Sequence, residues 1–283
     1  MRALSIDTST HRASVVLWED GTCLAREYNV DPARHAEALI GLIDRALATA
    51  GWNKTQIDLI ASCVGPGSFT GLRVGLATAK GIALALDRPI IGVGSLEAMA
   101  AAAFAGPWDS ASAEGAAVVA LLDARKEEVF WAAYAADGAK LAGPGHLRLE
   151  GIGAVWELLA ERRIMVVGEV AAQVDRTTPA IEIHRSLETD LPDAAVVARV
   201  AAARLEREGR DDLDALEPIY VRPPDITPPN HPSAERHSLL VIGGSAPAPS
   251  GASSEWGPTP AAPPAPNTMA FANMAESLVD STE

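Results

Sequence analysis

Residues 58–94 read DLIASCVGPGSFTGLRVGLATAKGIALALDRPIIGVG, and this stretch decides the fold. Asp58–Val64 is a short apolar run of strand length, the pattern of a strand covered on both faces. Gly65, Pro66 and Gly67 interrupt it. Thr70–Leu86 then reads as a helix, and Pro89–Val93 as a second buried strand. A strand, a helix and a strand in direct succession mark an α/β protein.

The junction Gly65-Pro66-Gly67-Ser68-Phe69-Thr70-Gly71-Leu72-Arg73 is the densest in chemistry. Its glycines permit positive φ and close backbone approach. Free N–H groups at a helix start attract anions, and Ser68 or Thr70 can cap the helix. Arg73 adds a fork of donors in the first turn. The loop is not a Walker A motif, because the Gly-Lys-Ser/Thr ending is absent, and its glycines miss the dinucleotide spacing. An anion site and a plain tight connection both fit these residues. Asp7-Thr8-Ser9-Thr10, at the end of an apolar strand, is similarly two-sided. It suits either a metal-nucleotide loop or an ordinary side-chain-capped turn. The candidate nucleotide or anion set is therefore Asp7, Thr8, Ser9, Gly65, Gly67, Ser68, Thr70 and Arg73.

The helix after the junction is apolar nearly all round, interrupted by Arg73, Thr78 and Lys80. Gly71, Gly75, Ala79 and Ala83 form an i, i+4 row of small residues, which lets another helix approach closely. A membrane span is not expected, since the run is interrupted and short. The expectation is a partner surface, shared with a preceding helix over Arg34–Ala50. The residues assigned to it are His35, Leu39, Ile43, Phe69, Gly71, Leu72, Gly75, Leu76, Ala79 and Ala83.

Working outward, Ala3–Asp7, Ser14–Trp18 and Thr22–Glu27 read as three strands, the last two joined by an Asp20-Gly21 turn. A looser echo follows. Ala117–Leu122 and Val129–Ala135 form a hairpin through Arg125-Lys126-Glu127, and His146–Leu149 is a third strand. Then come a helix from Gly153 to Glu161, a strand at Ile164–Gly168, a helix at Asp193–Glu208 and a closing piece at Ile219–Arg222. The expected division is 1–105, 106–225 and a disordered tail, 226–283. Of 20 prolines, 12 lie in residues 223–283, among Ala, Ser and Gly runs too poor in large apolar groups to offset their ordering entropy.

The 283 residues carry a net charge of -14, which disfavours a direct grip on nucleic acid and favours a basic partner. Cys23 and Cys63 are far apart and read as free thiols in a reducing compartment. No apolar leader precedes the first strand, so a cytoplasmic location is expected. The six histidines include no i, i+4 pair, so a single-helix metal site is not expected. No catalytic constellation is apparent.

The Asp7-Thr8-Ser9 turn, Arg34-His35-Ala36-Glu37, GPGSFTGLRVGLATAKGIALAL, Pro89–Ala98, Asp123-Ala124-Arg125 and Pro218-Ile219-Tyr220-Val221-Arg222-Pro223-Pro224 together resemble the TsaB (YeaZ) family. The resemblance spans about residues 1–225. It implies an actin-like ATPase fold, two ribonuclease-H-like halves in tandem. It also implies a non-catalytic subunit that pairs through its first two helices with a TsaD-like catalytic subunit, or with itself. A TsaE-like ATPase completes the complex, and tRNA is met only through it. The reaction moves threonylcarbamoyl to N6 of the adenosine beside the anticodon in tRNAs reading codons that start with A. No cofactor is required of this chain, although ATP and Mg can lodge at the subunit junction. Active relatives carry a Gly after the loop acid, where this sequence has Thr8 and Ala124. The competing readings are an autonomous actin-like ATPase or kinase and a metallopeptidase-like hydrolase.

Overall fold

The computed structural model describes residues 1–31, 35–106, 115–159, 162–174 and 181–222, so the tail expected from residue 226 lies outside the described residues. Strands β1 (Arg2–Asp7), β2 (Ala13–Glu19) and β3 (Thr22–Asn29) form an antiparallel meander. Parallel to β1 run β4 (Leu59–Gly65) and, beyond it, β5 (Ile90–Gly94), giving the order β3-β2-β1-β4-β5. One face of this sheet is covered by α1 (His35–Ala50) and α2 (Phe69–Leu86). Leu4, Ile6, Val15 and Leu17 meet Leu39, Leu42 and Leu47 of α1 and Leu76 and Ala79 of α2 there. Both faces of β1 and β4 are buried, which is why these strands show no alternation of polar residues.

The second sheet repeats the plan. β6 (Ala117–Arg125), β7 (Glu128–Ala135) and β8 (Lys140–Arg148) are antiparallel. β9 (Ile164–Val167) and β10 (Ile181–Ile183) run parallel to β6, in the order β8-β7-β6-β9-β10. Identical strand order and direction in both sheets make this the duplicated actin-like architecture. The hairpin residues Arg125, Lys126 and Glu127 all have positive φ, so the turn forms as expected.

Two helices form a shared middle layer. α3 (Ser95–Phe104) sets Leu96, Met99 and Ala103 on the second sheet, against Val118, Ala120 and Phe130. Its other side, Ala98 and Ala102, meets α6 (Ala194–Glu208), which lies on the first sheet against Ala3, Val16, Ala61 and Ile91. The helix read as closing the second half thus packs on the first sheet. The small residues Ala194, Ala198, Ala201 and Ala202 allow that close approach. Asp193 caps α6 by accepting the Ala195 N–H at 2.9 Å, an interaction typically worth about 1 kcal/mol. Completing the set are α4 (Gly153–Leu158), which buries Val155 and Trp156 on the outer face of the second sheet, and α5 (Leu187–Asp190). Residues Ile219–Arg222 form no strand; Ile219 donates its N–H to Val64 O at 2.7 Å, just before β4 ends at Gly65.

Candidate functional site

The first two of the small residues on α2, Gly71 and Gly75, face the chain's own first turn, as does Gly67 just before the helix. A Cβ on Gly67 would lie 2.2 Å from Ser9 O, one on Gly71 2.1 Å from Thr8 O, and one on Gly75 2.1 Å from Thr8 Oγ1. No side chain fits at any of the three. Thr8 Oγ1 donates to Gly71 O at 2.7 Å, and the Ser68 N–H donates to Ser9 O at 2.7 Å. The Gly65–Gly71 segment is thereby fastened onto the Asp7-Thr8-Ser9 turn.

This corrects the interface assignment. Gly71, Leu72, Gly75, Leu76, Ala79 and Ala83 are buried within the chain, as are Leu39 and Ile43 of α1. Leu76, Ala79, Ala83, Leu39 and Ile43 belong to the first core. Close helix approach was the right physics, but the approaching backbone is the Thr8–Ser9 turn. Of that set, Phe69 is exposed, and the side chain of His35 lies outside the described residues. The open side of α2 carries Arg73, Ala77, Gly81, Leu84 and Ala85 instead. Leu84 is 72% exposed, nothing lies within 4 Å of a Cβ built on Gly81, and Ile40 on neighbouring α1 is 54% exposed. By length and composition alone the 18 residues of α2 could cross a membrane, but its inner side is packed on the sheet, as in the core helix of a folded domain.

Of the candidate anion-site residues, Ser9, Gly67 and Ser68 lie on the wall of an open cleft, while Asp7 and Thr8 are engaged within the chain. Ser68 caps α2, accepting the Gly71 N–H at 3.2 Å, while Ser9 O takes the Ser68 N–H. Thr70 is exposed and takes no part in the cap. Arg73 points away from the loop. Its guanidinium lies 3.8 Å from the Phe69 ring centroid, and Nε donates to the Tyr220 hydroxyl at 2.8 Å. Phe69 and Tyr220 are themselves in ring contact, with centroids 5.1 Å apart.

Asp7 is fully buried. Its Oδ1 accepts the Ser9 N–H at 2.9 Å, and Oδ2 has no hydrogen-bond partner. Burial is the main cause pushing its carboxyl up to about 6, against which the Ser9 hydrogen bonds act. The neighbouring Cys63 thiol is pushed up as well, first by burial and then by the Asp7 charge.

Beyond the fastened loop, a cleft of about 680 Å³ opens between the two sheets. Its walls are Ser9–His11, Gly67–Phe69, Asp123–Arg125, Glu169 and the Ile219–Arg222 segment. Arg222 bridges to the second sheet, donating to Ala124 O and Glu128 Oε2, both at 2.9 Å. Asp123 repeats the Asp7 turn, accepting the Arg125 N–H at 2.8 Å, but it remains partly exposed. Glu169 is raised by burial, with His11 acting in the opposite sense.

Sequence reasoning missed Arg12. Its buried guanidinium donates to the carbonyls of Leu187, Leu191 and Pro192 and stands 3.9 Å from Asp193. Tyr28 completes the group, donating to Asp193 Oδ2 at 2.8 Å. The signal was an arginine next to an apolar strand; its partners lie some 180 positions away, as with Pro192.

The family model for TsaD, tRNA N6-adenosine threonylcarbamoyltransferase, matches residues 30–162. The tRNA threonylcarbamoyladenosine biosynthesis protein TsaB of Escherichia coli K12 is 42% identical over 137 residues, which cover 48% of this chain and 56% of that protein. The chain spans about half the length of the curated TsaB proteins first matched. The uncharacterized protein Rv3421c of Mycobacterium tuberculosis H37Rv is 31% identical, covering 80% of this chain and 93% of its own length. A crystal structure from Pseudomonas aeruginosa, described as an uncharacterized protein with similarity to peptidase YeaZ, superposes with a TM-score of 0.64 at 30% identity. It covers 78% of this chain and 99% of that one.

Proposed function

Because the chain belongs to the TsaB (YeaZ) family, we propose that it is the non-catalytic partner subunit of a tRNA-modifying complex. That complex transfers threonylcarbamoyl to N6 of the adenosine beside the anticodon in tRNAs reading codons that start with A. One observation carries the non-catalytic part. The acid of the first loop is sealed beneath the chain's own Gly65–Gly71 segment, where an active actin-like enzyme admits phosphate and metal. In this proposal a cytoplasmic TsaD-like subunit supplies the chemistry, a TsaE-like ATPase drives the cycle, and tRNA is gripped by the assembly. The net charge of -14 supports a basic partner over a bare RNA ligand.

The docking surface in this proposal is the outer side of α2 with Ile40 of α1, not the buried row. Gly81 leaves room there for another backbone, and Leu84 and Ile40 offer unpaid apolar area. Gly81→Arg and Leu84→Asp each change an exposed position, so both variants are expected to fold. Co-purification with the TsaD-like subunit should fall at least about tenfold, the effect of losing one anchoring contact. Normal recovery of the complex with both variants would remove this surface from the proposal. Transfer activity by the purified chain alone would remove the non-catalytic assignment.

A further inference from the structure

Residues 209–222 leave α6 and cross from one half of the fold to the other without forming a helix or a strand. The segment starts at Gly209, whose φ of +83° ends α6 and where an added Cβ would meet open space. It first runs along the outer edge of β5. The Asp211 N–H donates to Ile90 O at 3.1 Å, and Asp211 Oδ2 accepts the Gly92 N–H at 2.7 Å. Leu213 and Leu216 then rest on the first core. The Ile219 N–H is held by Val64 O, and Tyr220 by Arg73 and Phe69 of α2. Val221 packs on the second core, and Arg222 donates to Ala124 O of β6 and Glu128 Oε2 of β7. Ile219–Arg222 therefore tie β4, α2 and the second sheet together.

For all these ties, no residue from 209 to 222 is buried, whereas every residue of β4 is. Ile219 and Tyr220, at the crossing itself, are exposed. A segment with few buried apolar contacts and with backbone hydrogen bonds open to water separates from a fold at a lower free energy than the core does. We propose that residues 209–222 are a strap that opens as one unit ahead of the rest of the fold, hinged at Gly209 and caught at Arg222. Closed, the strap covers the edge of β5 and supplies the Ile219–Arg222 wall of the cleft. Open, it bares the β5 edge and takes that wall away, so the strap controls access to the cleft.

Native-state hydrogen exchange of the full-length chain, read residue by residue by NMR, tests the strap. The amides of Gly92, Asp211, Leu216 and Ile219 should share one opening constant, at least about a hundredfold larger than that of amides in β1 and β4. Arg222→Ala removes the catch from the strap, and Glu128→Ala removes it from the second sheet. Each should raise the shared constant about tenfold, the effect of losing a charge-assisted hydrogen bond. Gly92 and Asp211, at the hinge end, should quicken as much as Ile219 beside the catch. The strap is overturned if its amides are protected as strongly as those of β1 and β4, if the variants quicken Ile219 alone, or if both variants exchange as the unmodified chain does.

Discussion

Replacing Asp7 with Asn tests the sealed turn directly. The side chain is fully buried, and burial lifts its carboxyl from the ordinary 3.8 to about 6. Below pH 3.8 the group is protonated whether the chain is folded or not, and it costs nothing. Between 3.8 and 6 the unfolded chain releases the proton while the folded chain keeps it, so stability falls as pH rises. Above 6 both states are charged and the penalty is constant. The gap between the two values corresponds to about 3 kcal/mol. Asn preserves the acceptor for the Ser9 N–H, held at 2.9 Å, and places an amide at the position of the unpartnered Oδ2. Urea unfolding of both proteins from pH 4 to 8 is the assay. The variant should match the parent near pH 4 and exceed it by about 3 kcal/mol at pH 7.5. Equal stability at pH 7.5, or a difference that does not grow between pH 4 and 6, would refute the sealed-carboxylate argument.

Two glycines on α2 should respond in opposite directions. Gly71→Ala drives a Cβ to 2.1 Å from Thr8 O and should cost about 2 kcal/mol, since overpacking exceeds the helix-propensity gain. Gly81→Ala meets open space and should add about 1 kcal/mol; thermal melts of both variants give the signs. Arg12→Ala removes donors from three backbone carbonyls and should cost about 3 kcal/mol. Hydrogen exchange should then quicken at residues 187–193 in particular, and unchanged protection there would show that Arg12 does not hold that segment.

Most strands and the long helices were legible because each has its own period and its own breakers; β8, read as His146–Leu149, instead spans Lys140–Arg148. The Asp20-Gly21 turn, the Gly65-Pro66-Gly67 break and Gly51 after α1 are local signals, and local signals survive in a single sequence. α3 was not legible, because its run of Ala98, Ala100, Ala101, Ala102 and Ala103 has no polar stripe to reveal a face. β10 is three residues long and edges a sheet, too short for alternation to register. The site was half legible. Glycines at 67, 71 and 75 announce a close backbone approach, yet spacing cannot say whose backbone approaches. Thr8 is 63 positions from Gly71, and that pairing is tertiary information. The Arg12 group was beyond reach for the same reason.

The duplication makes the two halves controls for each other. Asp7 ends β1 and Asp123 lies near the end of β6, and each accepts the N–H two residues on, at 2.9 and 2.8 Å. The turns are alike, but their surroundings differ. The segment after β4 presses Gly67 and Gly71 onto the first turn and closes it, whereas Asp123 stays on the wall of the open cleft. A metal-bound nucleotide in this architecture is clamped from both sides, because positioning the phosphate against both loops is what lowers its barrier. Of the two loop acids, only Asp123 therefore stands on the cleft wall, while Asp7 is buried behind its turn. The contacts that shut it also hold α2 rigidly on its sheet, with Arg73, Gly81 and Leu84 turned outward. Closing the first loop and presenting an outer helix surface are thus consequences of the same three glycines, which is the physical ground on which the scaffold proposal stands.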